Sequence, residues 1–265
     1  MVRQVLKAFS VVLGVSLVCS FLVTSTIVLL EQRRAHNKLA HKIESLLALA
    51  EIPVGAEADP VQIYRSHIRP MLVDLESGRV AKPGAFRMDD LIVYDIERMA
   101  RHPEHAVIIP RDLDLADIKR RPRYLPVYLR MADPGFTHLI LPIYGRGLWS
   151  TLYGYLALKS DLVTIAGIGF YEHKETPGLG GEVDSPRWKA SWPGKQAFDE
   201  QGRLAIRVMQ GSVDPRQPEA IHHVDGISGA TFTTRGVDHL VRYWLGPHGY
   251  GPFLHWLRAQ NHARF

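Results

Sequence analysis

Cysteine is almost missing from this chain: Cys19 stands alone among 265 residues. That excludes an intrachain disulfide, thiolate zinc sites, CxxC redox motifs and cysteine-ligated iron–sulfur clusters. A block of like charge is missing too. The 32 Lys and Arg are spread along the chain, and the formal net charge is only +5, which gives nucleic-acid binding little support. Neither G-x-x-x-x-G-K-[ST] nor G-x-G-x-x-G occurs, so the familiar phosphate-cradling loops are absent. G-x-S-x-G is unmatched, because Gly226-Ile227-Ser228-Gly229-Ala230 closes one residue early, and a serine hydrolase is poorly supported. There is no internal repeat and no low-complexity segment. At 46% hydrophobic and 22% charged residues the composition is that of a folded chain, which excludes global disorder.

One further absence is informative. No charged residue falls between Ala8 and Leu30. As a helix this run reaches roughly 34 Å, enough to cross a hydrocarbon core of about 30 Å. A cleaved signal peptide has a shorter apolar core and an A-x-A site, so an uncleaved anchor is expected over 1–34. A lipoprotein signal fails on the residues Ser16-Leu17-Val18 before Cys19. Arg3 and Lys7 precede the span, while Arg33, Arg34, Lys38 and Lys42 follow it; by the positive-inside tendency the charges lean toward a cytoplasmic domain. Leu39, Ile43, Leu46, Leu47 and Ala50 then recur at helical spacing, which predicts an amphipathic connector helix over 35–51. Its apolar face serves equally for packing on a domain or lying on a membrane surface.

From 52 to 265 the pattern is that of an α+β domain. Short runs rich in Val, Ile, Leu and Tyr predict strands at Leu91–Tyr94, Ala106–Ile109, Leu125–Leu129, His138–Tyr144, Thr151–Leu158, Val163–Phe170 and Leu204–Gln210. Helices are expected at Arg235–Leu245 and Pro252–His262, the first supported by the spacing of Val237, Leu240, Val241 and Trp244. Strands in the middle with helices at the end do not make a βαβ alternation.

Three stretches carry chemistry. In Asp225-Gly226-Ile227-Ser228-Gly229-Ala230-Thr231, small residues permit close backbone approach ahead of a helix whose first N–H groups favour a phosphate. Taken alone, such a Ser/Thr-rich start is an ordinary N-cap. In Glu172-His173-Lys174-Glu175-Thr176-Pro177-Gly178-Leu179-Gly180-Gly181-Glu182, proline and glycines build a tight loop that can approach a flat ligand, or simply end a strand. In Tyr144-Gly145-Arg146-Gly147-Leu148-Trp149-Ser150-Thr151-Leu152-Tyr153-Gly154-Tyr155, aromatics and glycines suit a core strand or a wall against a planar ring. His222-His223 and His173-x-Glu175 match no zinc pattern, and Asp112-x-Asp114 with Asp117 lacks the glycine and glutamate of a calcium loop.

The order G-L-W-S-T-x-Y-G, H-x-E-T-P-G-L-G, D-G-x-S-G-A-T resembles the FMN-binding domain in the C subunits of sodium-translocating NADH:quinone reductases. Tyr243-Trp244-Leu245-Gly246 and Gly251-Pro252-Phe253-Leu254 are similar to their tail. The resemblance covers the anchor, the connector and nearly all of the remainder, and implies an electron-carrying subunit with FMN esterified covalently to Thr231. Ser228, Gly229 and Ala230 would lie at the attachment point. Thr176, Gly178, Leu179 and Gly180, with Leu148, Trp149 and Ser150, would lie against the isoalloxazine or ribityl chain. It also implies a flavin transferase, partner subunits that oxidise NADH and reduce ubiquinone, and a domain on the periplasmic side of a bacterial inner membrane. No metal is expected. G subunits of the Rnf complex share the second and third blocks, and the extended G-L-W-S-T-L-Y-G stretch favours the reductase. The alternatives are that Rnf subunit, or a flavin-binding sensor or assembly module outside any electron path.

Overall fold

The computed structural model describes residues 2–55, 58–82 and 91–262; the other residues of the expected 52–265 domain lie outside that description. Helix α1 (Val2–Leu49) meets no proline along its length. Leu6–Leu30 within it is apolar, has no buried part and is long enough to cross a membrane, and so fits a single-pass anchor. Two of its hydroxyls turn back onto the helix: Ser10 and Thr26 donate to the carbonyls of Leu6 and Leu22 at 2.9 and 2.7 Å, which satisfies them without water. The expected anchor and connector are not separate elements, because helical residues fill the junction at 34–35 and nothing there breaks the turn. The chain divides into two compact units, Met1–Lys42 and Ile43–Phe265. The end of α1 thus belongs to the second unit, where Ile43, Leu46, Leu47 and Ala50 are buried.

In that unit α2 (Pro60–His67) starts at Asp59, whose carboxylate accepts from Val61 N–H. It leads into β1 (Ile68–Asp74) and β2 (Arg79–Val80). Short elements follow: α3 (Ile96–Ala100), then the antiparallel pair β3 (Ala106–Ile108) and β4 (Arg120–Pro122). The long strands are β5 (Tyr124–Met131), β6 (Phe136–Arg146), β7 (Thr151–Lys159) and β8 (Ile165–Glu172). After them come α4 (Pro186–Lys189), β9 (Arg207–Val208), β10 (His223–Val224), α5 (Thr231–Leu245) and α6 (Gly251–His262). The main sheet runs β2-β1-β5-β6-β7-β8 with every pairing antiparallel.

Strand alternation sorts the sheet into two faces. Leu139, Leu141 and Ile143 of β6, paired with Leu158, Leu156 and Gly154 of β7, share a face with Ile168 and Phe170 and bury against Val237, Leu240 and Val241 of α5. A Cβ at Gly145 would lie 2.5 Å from Leu240 Cβ, so glycine there lets α5 settle on β6. On the other face Gly167 and Gly169 leave room for Leu49 and Ser45 of α1, and Arg130 donates to the carbonyl of Ala50 at 2.6 Å.

Several expected elements shift. Leu91–Tyr94 is a turn: Leu91 is buried and the Tyr94 hydroxyl donates to the Tyr124 carbonyl, so the segment anchors by side chains rather than by a ladder. Of Leu204–Gln210 only β9 is strand, paired parallel to β10. Strand β1 was hidden by Pro70, which sits where β2 does not pair; β2 meets only Val73 and Asp74. Helix α5 begins four residues earlier than its apolar spacing indicated, because the Thr-rich first turn carries a weak helical signal.

Candidate functional site

The start of α5 decides the site. Its N-cap is Ala230, with no side-chain cap, so the first turn of backbone N–H groups has no capping oxygen. Thr231 is therefore the first helical residue, not the cap that its local sequence would make it. Three threonines share this turn, and their hydroxyls differ. Thr233 is buried and donates to Glu175 Oε2 at 2.7 Å. Thr234 is buried and accepts from Ile227 N–H at 3.0 Å, which shapes the loop ahead of the helix. Thr231 is exposed, as are Ser228 and Gly229 in the approach.

That approach is closely fitted. A Cβ at Gly226 would lie 2.2 Å from the Met209 carbonyl oxygen, and Gly226 N–H donates to Gly211 at 2.8 Å. Gly229 takes φ +71° against the Leu179 side chain, a conformation glycine adopts freely. Ala230 is buried.

Glu175 joins the three stretches. Its Oε1 accepts from Trp149 and Ser150 N–H at 3.0 and 3.2 Å; Oε2 accepts from Leu148 N–H at 3.2 Å and from Thr233. Burial pushes this carboxyl up, but the Thr233 hydroxyl and the three backbone donors outweigh it, leaving its pKa below the ordinary 4.5. Gly147 and Gly180 flank it where a side chain would not fit: Cβ atoms there would lie 2.6 Å from Glu175 Oε1 and 2.5 Å from Thr233 Oγ1. Behind it, His173 Nδ1 accepts from Glu175 N–H at 3.2 Å, and His173 Nε2 meets Asp184, which also pairs with Lys189. Burial raises the Asp184 carboxyl, and the His173 hydrogen bond with the Lys189 charge brings it below its usual range.

The structure therefore brings together all three stretches read from the sequence. Leu148, Trp149 and Leu179 are exposed, and so is Phe232, which the sequence did not single out. Thr176 and Gly178 are exposed on the 175–181 loop, with Gly178 at φ +75°. Ser150 Oγ accepts from Lys174 N–H at 2.8 Å and ties one loop to the next. Gly180 and Ala230 are buried packing positions. Glu175 was missed as the junction; the signal that would have found it is an acid set between the end of a strand and a proline–glycine loop. Asp114 accepts from Ile118 and Lys119 N–H. Among the described residues no three His, Cys, Asp or Glu gather as a metal site.

An exposed hydroxyl at an uncapped helix start, beside exposed Leu148, Trp149, Leu179 and Phe232, suits a ligand with a phosphate at one end and a flat apolar ring at the other. FMN has that form. The sequence pattern of the FMN-binding domain matches residues 147–246, which contain the three motif blocks G-L-W-S-T-x-Y-G, H-x-E-T-P-G-L-G and D-G-x-S-G-A-T, and α5. The class is thus an FMN-binding domain carried on an apolar N-terminal helix. The C subunit of the Na+-translocating NADH-quinone reductase from Pseudomonas aeruginosa is 47% identical over 95% of this chain and 95% of its own. Its counterpart from Yersinia pestis is 38% identical over 94% and 91%. The crystal structure of Shewanella oneidensis NqrC superposes with a TM-score of 0.75 at 34% identity, covering 84% of this chain and 99% of that one. The chain belongs to the C subunits of the Na+-translocating NADH-quinone reductases. It is an electron-carrying subunit of a redox complex, and the Rnf alternative gives way to the reductase.

Proposed function

We propose that this subunit holds FMN covalently, through a phosphoester on Thr231. The observation that carries the reading is the difference among the three threonines of the turn: two hydroxyls are buried and engaged, and Thr231 alone is exposed. Esterification replaces the Thr231 O–H bond by O–P and leaves one negative charge on the phosphate. The donor must be FMN activated as a phosphoanhydride, a flavin dinucleotide by class: its P–O–P bond breaks as Thr231 Oγ attacks, the nucleoside monophosphate leaves, and a base on the flavin transferase takes the Thr231 proton. Backbone N–H groups of the first turn of α5 balance the remaining charge. Bound there, FMN supplies reversible electron transfer. Leu148, Trp149 and Leu179 shield the ring from water, Thr176 and Gly178 border it, and Ser228 and Gly229 allow the phosphate to come close.

The same reading places residues 1–34 as the anchor and 52–265 as the FMN-binding domain, on the periplasmic side of the inner membrane, with NADH oxidation and ubiquinone reduction on other subunits. Family membership supports the periplasmic side, while Arg33, Arg34, Lys38 and Lys42 lean the other way; charge bias is a tendency that a partner complex can override. Cysteine-accessibility labelling of the C-terminus reads the side directly.

The deciding experiment is ultraviolet-excited fluorescence of the full chain on a denaturing gel after co-expression with a flavin transferase. Wild type is expected to fluoresce and Thr231→Ala to be dark. Fluorescence retained in Thr231→Ala sinks the attachment site.

A further inference from the structure

Resting on Thr231 as the attachment point, we propose that Glu175 is the positioning residue of this flavin site: its carboxylate sets the Leu148–Ser150 wall and the first turn of α5 in one register. Three consecutive backbone N–H groups, of Leu148, Trp149 and Ser150, converge on it. Such a run of N–H groups is itself an anion-binding concavity. Here an internal carboxylate fills it, which leaves the uncapped start of α5 as the anion site of the loop cluster. The fourth donor is the Thr233 hydroxyl, two residues from Thr231. One buried group therefore holds both the wall that carries Leu148 and Trp149 and the turn that carries the acceptor. It also turns Thr233 inward, away from competition with Thr231.

The chemistry requires a carboxylate. All four partners are donors, and an ionised Glu offers acceptors only. A glutamine would have to aim its NH2 at one pair. Thr233 could rotate its hydroxyl to accept, but Leu148 N–H would then face another donor. An aspartate keeps the charge but is one methylene too short to reach both the wall and the helix. Because the four partners are neutral, Glu175 also leaves a fixed negative charge in the wall of the site, which disfavours adding electrons to a flavin bound there.

The test uses the full chain, co-expressed with limiting transferase, with flavin per chain read from gel fluorescence against protein stain. Glu175→Gln is expected to lower the flavin content about tenfold, the scale set by hydrogen bonds to a charged group. Glu175→Asp falls between it and wild type, and Thr233→Val lowers the content about two- to threefold. In the chains that do carry flavin, Glu175→Gln raises the midpoint potential, a shift that a merely structural role would not produce. Wild-type flavin content and potential in Glu175→Gln overturn the proposal. If Glu175→Gln fails to accumulate as folded chain, Thr233→Val decides, since it keeps the charge and three backbone bonds: reduced flavin at unchanged melting supports the role, and wild-type content overturns it. A dark Thr231→Ala beside fully flavinylated Glu175→Gln and Thr233→Val removes the positioning role alone. A fluorescent Thr231→Ala removes the attachment reading beneath it.

Discussion

Two carboxylates are buried against α5, Glu175 at its first turn and Asp238 in its middle, and their charges are met in different ways. Asp238 Oδ1 accepts from Arg207 Nε at 3.2 Å and Val208 N–H at 2.9 Å, and Oδ2 meets Arg242 at 3.4 Å. Two cations offset its charge, and the result fastens β9 to the helix. Glu175 has four neutral donors, so it is satisfied without being neutralised. Both arrangements remove the cost of burying an ion. Only the second leaves an unbalanced charge beside the loops that meet at the start of α5. Fastening and tuning are thus separated along one helix, within about two turns of each other.

Experiments that break either side of this comparison follow in order of expected size. Asp238→Ala strands a backbone N–H and two arginines; it should cost about 3 kcal/mol, below the upper range for buried pairs because Arg207 is 50% exposed. Chemical denaturation in detergent measures that loss, and flavin per folded chain should stay at the wild-type value. Gly180→Ala presses a methyl against Thr233 and Glu175 and should cost about 2 kcal/mol, with reduced flavin content as well. If Gly180→Ala behaves like Asp238→Ala, losing stability but no flavin, the distinction between the two carboxylates collapses.

Acid titration sharpens the same point with a smaller effect. The Glu175 pKa is lowered in the folded chain from an ordinary 4.5, so the unfolded chain binds the proton first as the pH falls. Its contribution to stability is complete above that ordinary value and disappears as the pH drops through the lower folded value. The difference in denaturation midpoint between wild type and Glu175→Gln should therefore close below about pH 4.5; a constant difference would show that the carboxylate is not ionised in the fold. Smallest of all is Trp149→Ala. With Trp149 65% exposed, stability should move by no more than about 0.5 kcal/mol, while the fluorescence of the attached flavin changes. A large loss of stability would mean that the ring packs in the core and does not wall the site.

Much of this was legible in the residues themselves. The uncharged run from Ala8 to Leu30 specifies an apolar helix long enough to cross a membrane, because length and hydropathy are local properties of the chain. The strands at 125–129, 138–144 and 151–158 lie within β5, β6 and β7, since side-chain alternation and bounding turns are local properties. Strand β1 and the early start of α5 escaped because Pro70 and a Thr-rich turn carry weak or contrary local signals, and packing overrides them.

The motif order brought out the three stretches, and the family resemblance it carries pointed to the threonine at the end of S-G-A-T. What it could not decide is which hydroxyl of Thr231, Thr233 and Thr234 is free, because all three are chemically alike and lie within one turn. Tertiary packing makes that choice: Glu175, 58 residues from Thr233 along the chain, takes one hydroxyl, and the Ile227 backbone takes another. Sequence periodicity reports which side of an element is apolar, whereas the partner of a buried polar atom depends on which distant loop arrives beside it.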